Sequence, residues 1–374
     1  MQLAIFKTVV SKLNTQQTLN ITPYIFEPEK SIEVYKKTSE YLLENPNIKE
    51  KIEELGWFYH IIGMTIPQNW DNYWSGHIFP FSESWEELQI SFNLVCFGLY
   101  KQAFVSLRSA LELGMLSVYY NINDEGHKMV QDWLSSKDSN DANTPRASTI
   151  WKVLLSNENI KKFDKEHNLK KRFEELGFLH NYVHTKGNKY SNKLGRFKSN
   201  SQTFEPDLID SWLNTYEKIA SIVCTLHLLK YPIAVVKYDY SRKFGIDIPS
   251  FGGLETFNIE KIRKILPEHY LESIEKIAET DILTQETIKE IKSFPDKTEE
   301  EVEEQVLFIE KLTIEGCGFK KWLEQQNDLL ELFNEKEFNQ VMINRIEVLK
   351  KWSIENDYYD KTKLDKYKKK KETE

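Results

Sequence analysis

Two short stretches carry ionisable side chains at spacings that suit acid–base chemistry. In Phe104-Val-Ser-Leu-Arg-Ser-Ala-Leu-Glu-Leu-Gly-Met115, Arg108 and Glu112 stand four residues apart. In Phe173-Glu-Glu-Leu-Gly-Phe-Leu-His-Asn-Tyr-Val-His184, His180 and His184 have the same separation. On a helix that spacing puts two side chains on one face, where they can act as a pair. If the stretches pack side by side, a guanidinium, a carboxylate and two imidazoles meet at one rim. Such groups suit cleavage of RNA through attack by its own 2′-hydroxyl. A neutral imidazole takes the hydroxyl proton and an imidazolium protonates the leaving oxygen, both near neutral pH. Arg108 would stabilise the charge that builds on phosphorus, with Asn181 and Tyr182 as orienting donors. Two other readings fit the same residues. Arg108 and Glu112 can form a structural ion pair with the histidines as hydrogen-bonding neighbours. His-x-x-x-His can also hold a metal, although no nearby glutamate completes the usual protease pattern.

Both stretches have helical periodicity. At ~100° per residue, Phe104, Leu107, Leu111, Met115 and Val118 form one apolar stripe, with Ser106, Ala110, Gly114 and Ser117 opposite, small enough to admit a neighbouring backbone. In the second stretch Leu176, Leu179 and Val183 make the apolar centre, Gly177 leaves open space, and Gly187 is the expected C-terminal cap. Ser84-Trp-Glu-Glu87 reads as a capping box opening a helix to about Gly98, which forms a hairpin with the helix of Arg108.

Upstream, helices are expected from Ser31, as cap, to Glu44 and from about Asn47 to Ile62. An aromatic connection follows, whose Trp70, Tyr73 and Trp74 either cover the core or stack on bases. Downstream, helical patterns cover about Asp124 to Leu134, Ser148 to Leu155, Ile160 to Glu166 and Leu169 to His184. A long helix then runs from Glu205-Pro206 through Tyr231, with His227 as a satisfied core residue. Prolines and glycines between Tyr231 and Phe257 mark a domain boundary. Beyond it lie acidic amphipathic helices over Asn258 to Thr280 and Thr284 to Phe294, and one opened by the block Glu299 to Glu304. Two more follow, over Phe319 to Phe333 and Glu335 to Trp352, and then a tail with seven lysines between Lys361 and Lys371. The expected fold is all-α: an N-terminal extension over 1–81, a helical bundle over 82–240 and a C-terminal helical domain over 258–374.

The bulk numbers agree with a folded chain. Of 374 residues, 40% are hydrophobic, 29% charged and 13% aromatic, which excludes a wholly disordered polymer. A net charge of −8 argues against a nucleic-acid coat protein but leaves room for a local basic groove. Cys96, Cys224 and Cys317 are few, odd in number and far apart, as for reduced thiols rather than a disulfide frame or zinc site. No signal peptide or bilayer-spanning run is read, so the expected location is the cytoplasm, with no membrane partner.

Leu107-Arg-Ser-Ala-Leu-Glu112 in a helical hairpin, followed by Leu179-His-Asn-Tyr-Val-His184, resembles the HEPN superfamily and its abortive-infection relatives over roughly residues 82–231. The resemblance implies a helical bundle, commonly dimeric, and metal-independent RNase activity in bacterial toxin or anti-phage systems, with no cofactor. The superfamily's motif has an arginine, a polar residue and a histidine some five positions on. Here the matching end is His184, with His180-Asn181 upstream, while Leu179 occupies the arginine slot; only tertiary packing could bring Arg108 there. Tyr182, Lys186, Lys189 and Arg196 would then contact RNA, since cations interleaved with aromatics suit a phosphate backbone with stacked bases. The alternative is a noncatalytic helical adaptor whose acidic C-terminal domain binds a partner protein.

Overall fold

A computed structural model describes residues 28–67, 78–123, 128–135, 144–191, 203–247, 251–332, 336–365 and 367. The fold is all-α, with no strand among the described residues. The helices are α1 (Pro28–Glu44), α2 (Pro46–Gly63), α3 (Phe79–Cys96), α4 (Tyr100–Asn123), α5 (Lys128–Leu134), α6 (Ala147–Leu154), α7 (Glu158–His167), α8 (Leu169–Glu175), α9 (Leu179–Val183) and α10 (Pro206–Lys230). They continue as α11 (Ser241–Phe244), α12 (Thr256–Ile265), α13 (Glu268–Thr280), α14 (Ile282–Ser293), α15 (Glu299–Cys317), α16 (Phe319–Leu332) and α17 (Lys336–Glu355). Two compact units result. One runs through Gly63, resumes before α3 and ends at Lys230, with Ile265–Tyr270 added; the other takes Tyr231–Lys264, the chain from Leu271 and a short segment from Met64. The expected N-terminal arm, Trp70, Tyr73 and Trp74 and most of the lysine tail lie outside the described residues.

The first unit is built around α4 and α10. The sequence of α4 is apolar or small over most of its circumference, and fourteen of its residues are buried. Such a helix must be covered on nearly every side. α3 packs along it as the second arm of a hairpin, turned at Gly98 with φ +71°, a conformation that L side chains rarely adopt; a Cβ there would lie 2.5 Å from the Thr203 carbonyl oxygen. On the small-residue edge, α10 comes so close that a Cβ on Gly114 would sit 2.6 Å from Val223. Trp212 of α10 is fully buried and donates its indole N–H to Ser91 Oγ at 2.8 Å, so the polar atom of the ring is satisfied within the core.

Several local expectations give way to tertiary contacts. α1 begins at Pro28, so Ser31 lies within the first turn rather than at the cap. α3 begins at Phe79, with a proline in its first turn, five residues before Ser84. Ser84 is therefore buried in mid-helix and is no capping residue; its hydroxyl donates to the Ala110 carbonyl at 2.6 Å and bonds Tyr59. The stretch expected as one helix from Leu169 to His184 breaks into α8, a 3-10 turn at Leu176–Phe178 and α9. That change of winding rotates the later residues, leaving Val183 43% exposed and turning Tyr182 inward. After α9 the left-handed position falls on Thr185 (φ 47°), while Gly187, expected as the cap, takes φ 75° with an extended ψ of 176°.

In the second unit, Ile233, Tyr240, Ile288 and Ile291 form one core, and Ile314, Phe319, Trp322 and Leu349 another. Pro267 separates α12 from α13, where one helix was expected. α15 opens on a capping box, Thr298 with Glu301, and three glutamates in its first turn face the positive end of the helix dipole. Among the described residues no helix is long and apolar enough to cross a membrane.

Candidate functional site

The predicted convergence occurs within the first unit. Arg108 projects from the middle of α4 at the border of its buried stripe, and its side chain is 21% exposed. Glu112, one turn on and 48% exposed, accepts from Arg108 Nε at 2.9 Å and Nη2 at 2.7 Å, both on Oε1. From α9, His180 reaches the same guanidinium: Arg108 Nη1 lies 2.7 Å from His180 Nδ1. The His184 ring lies 4.1 Å from the His180 ring, tilted by 47°.

This geometry fixes the state of His180. A guanidinium has donors only, so Nδ1 must be the acceptor and the neutral ring carries its proton on Nε2. The pKa of His180 is accordingly lowered, first by desolvation and then by the positive charge of Arg108 and by His184 and Lys186, against an opposing pull from Glu112. Arg108 has five N–H donors and uses three in these bonds, leaving two. A partly desolvated cation with two such donors suits a phosphate. His184 stands exposed as the residue that ends α9, and no hydrogen bond engages its ring among the described residues.

The remaining predicted residues divide. Lys186 and Lys189 are exposed on the turn after α9, Lys189 lying 5.5 Å over the Tyr190 ring. Arg196 lies outside the described residues. Asn181 is half-buried one position round the helix from His180, and its carbonyl accepts from the Lys186 amide at 3.1 Å. No hydrogen bond joins its side chain to Arg108 or the histidines among the described residues. Tyr182 departs from expectation: only 6% exposed, it stacks on Phe104 at 5.0 Å and meets Tyr190 edge-on. It anchors α9 to α4 and is not placed to touch RNA.

Sequence reasoning missed Lys101, whose ammonium donates to Thr185 Oγ1 at 3.0 Å, tying the start of α4 to the turn after His184. It also missed Phe173, which lines a hollow together with Leu111, Arg108 and His180. Phe173, Leu176 and His180 follow an i, i+3, i+7 pattern, the signal by which that shared face could have been found. Among the described residues no three or more His, Cys, Asp or Glu side chains are grouped to hold a metal ion. No protein-family model matches the chain, and no curated protein or solved structure matches it.

Proposed function

We propose that Arg108, His180 and His184 form a metal-independent RNA-cleaving site, in a HEPN-like effector of bacterial toxin or anti-phage defence. The observation that carries this reading is the 2.7 Å contact between Arg108 and His180, with the His184 ring tilted against that of His180 and open to solvent. The two remaining guanidinium donors would hold a non-bridging phosphate oxygen, with the His180 Nε2–H beside them. His184, whose ring nitrogens are not engaged among the described residues, would take the proton from the 2′-hydroxyl. As the 2′-oxygen bonds to phosphorus the bond to the 5′-oxygen breaks, and His184 returns the proton to that leaving oxygen. The products would be a 2′,3′-cyclic phosphate and a free 5′-hydroxyl.

The test is incubation of the purified chain with cellular RNA in excess EDTA, followed by analysis of the new ends. Cleavage that persists and leaves cyclic phosphates supports the proposal; a requirement for added metal, or different ends, overturns it. A second reading, a noncatalytic adaptor, draws on Phe308, Ile309 and Leu312 of α15, which are 62%, 45% and 49% exposed. Apolar side chains grouped in this way suit a protein partner. For that reading, RNA would stay intact and substituting Phe308 would abolish partner capture.

A further inference from the structure

Beside the guanidinium is a cavity of about 130 Å³. Leu111, Phe173 and Leu176 contribute apolar lining, and Arg108, Glu112 and His180 contribute polar groups. Gly177 also borders it, and a Cβ built there meets nothing within 4 Å, so a larger side chain at this position has open space to enter. Cavities of ~150 Å³ lined by Leu, Ile and Phe admit a benzene ring. The space therefore fits one six-membered ring and is small for the fused rings of a purine. Its polar edge is equally selective. Arg108 bonds only Oε1 of Glu112, leaving Oε2 as a carboxylate acceptor with no hydrogen bond among the described residues. A carboxylate accepts from the exocyclic amino group of cytosine, whereas uracil presents a carbonyl at the same place. A second hollow, of about 330 Å³, shares Ala147 and Phe173 with the first and is bordered by Lys152, Lys170 and Glu174, two cations against one carboxylate, a balance that still suits a neighbouring phosphate.

We propose that the cavity bounded by Phe173, Gly177 and Glu112 is a base subsite that selects cytosine in single-stranded RNA. The proposal rests on the RNA-cleaving reading of Arg108, His180 and His184. It is tested separately from cleavage by measuring fluorescence anisotropy with short 2′-deoxy homo-oligonucleotides, which lack the attacking hydroxyl. The cytosine oligomer is expected to bind about fivefold tighter than those of uracil or adenine, as one partly exposed polar contact allows. Gly177→Trp, which fills the opening, is expected to reduce cytosine binding to the level of uracil, as is Glu112→Ala. Gly177→Leu serves should the indole disturb folding, judged by circular dichroism. Equal binding of cytosine and uracil oligomers by a chain that still cleaves RNA removes the subsite and leaves the cleavage reading in place. Retained preference in a folded Gly177→Trp variant also overturns the subsite. A chain that neither binds nor cleaves any RNA removes both proposals.

Discussion

Helix α4 meets histidines at two places, and they have opposite fates. Ser117, near its end, faces His227 of α10, which is wholly buried. The Nδ1 of that ring lies 2.8 Å from the Val223 carbonyl and its Nε2 3.3 Å from Ser117 Oγ, with Phe81 edge-on at 4.9 Å. Burial pushes the His227 pKa down to about 4. Two and a half turns earlier, Arg108 meets His180 and His184, where one ring is held as a neutral acceptor and the other stands open. Residue type alone therefore says little: a histidine can do chemistry where a ring nitrogen remains unengaged and substrate can reach it. His227 has neither property, and among the described residues His184 has both.

The contrast can be tested from its largest expected effect downwards. His184→Ala is expected to lower RNA cleavage by about 10²–10⁴-fold, the usual contribution of a positioned acid–base group, with an unchanged melting temperature because the side chain is exposed. A folded variant that cleaves at the parental rate would remove His184 from the mechanism. The buried counterpart is read through acid stability. Because the folded state holds His227 below its ordinary 6.5, it binds fewer protons than the unfolded chain, so stability present above pH 6.5 is lost as pH falls towards 4. That loss is about 3 kcal/mol, and the lowered pKa values of His167 and His180 act in the same direction. Denaturant titrations of His227→Gln should show a flatter dependence over this range; a slope equal to the parent's contradicts the burial.

Gly114→Ala comes next, since its Cβ would press against Val223 at 2.6 Å and Tyr59 Oη at 2.8 Å. Overpacking of this kind costs about 1–3 kcal/mol, measurable as a lower urea midpoint; an unchanged midpoint would mean that α4 and α10 separate easily. A smaller loss of stability than for Gly114→Ala is expected for Arg108→Ala. Its ion pair is only partly desolvated and contributes under ~1 kcal/mol, yet cleavage should disappear with the guanidinium. A large fall in melting temperature would instead make Arg108 a structural ion-pair residue.

Helix class and the Arg108–Glu112 pair were legible because both follow from intervals of three and four residues along one helix. Contact between Arg108 and His180 could be posed only as a condition, because 72 positions separate them and packing decides the meeting. Tyr182 and Val183 exchanged places relative to expectation since a 3-10 turn at Leu176–Phe178 changes the angular step, which periodicity at a constant angle cannot foresee. Ser84 resembled a cap because the capping-box pattern is local; Tyr59 and Ala110, which bond its hydroxyl, are distant in sequence. Of the hollow beside Arg108, only the open space at Gly177 was legible, because the lining as a whole comes from helices on both sides of the intervening loop.

The five residues of α9 have a further consequence. The guanidinium stands on a 24-residue helix fastened through the core, whereas both imidazoles ride on little more than one turn. Local opening of so short an element needs far less free energy than global unfolding. Warming should therefore detach His184 before the bundle melts, so that the proposed cleavage declines at temperatures where the far-ultraviolet spectrum is still native. An anion bridging the two halves would postpone that decline, acting as a clasp.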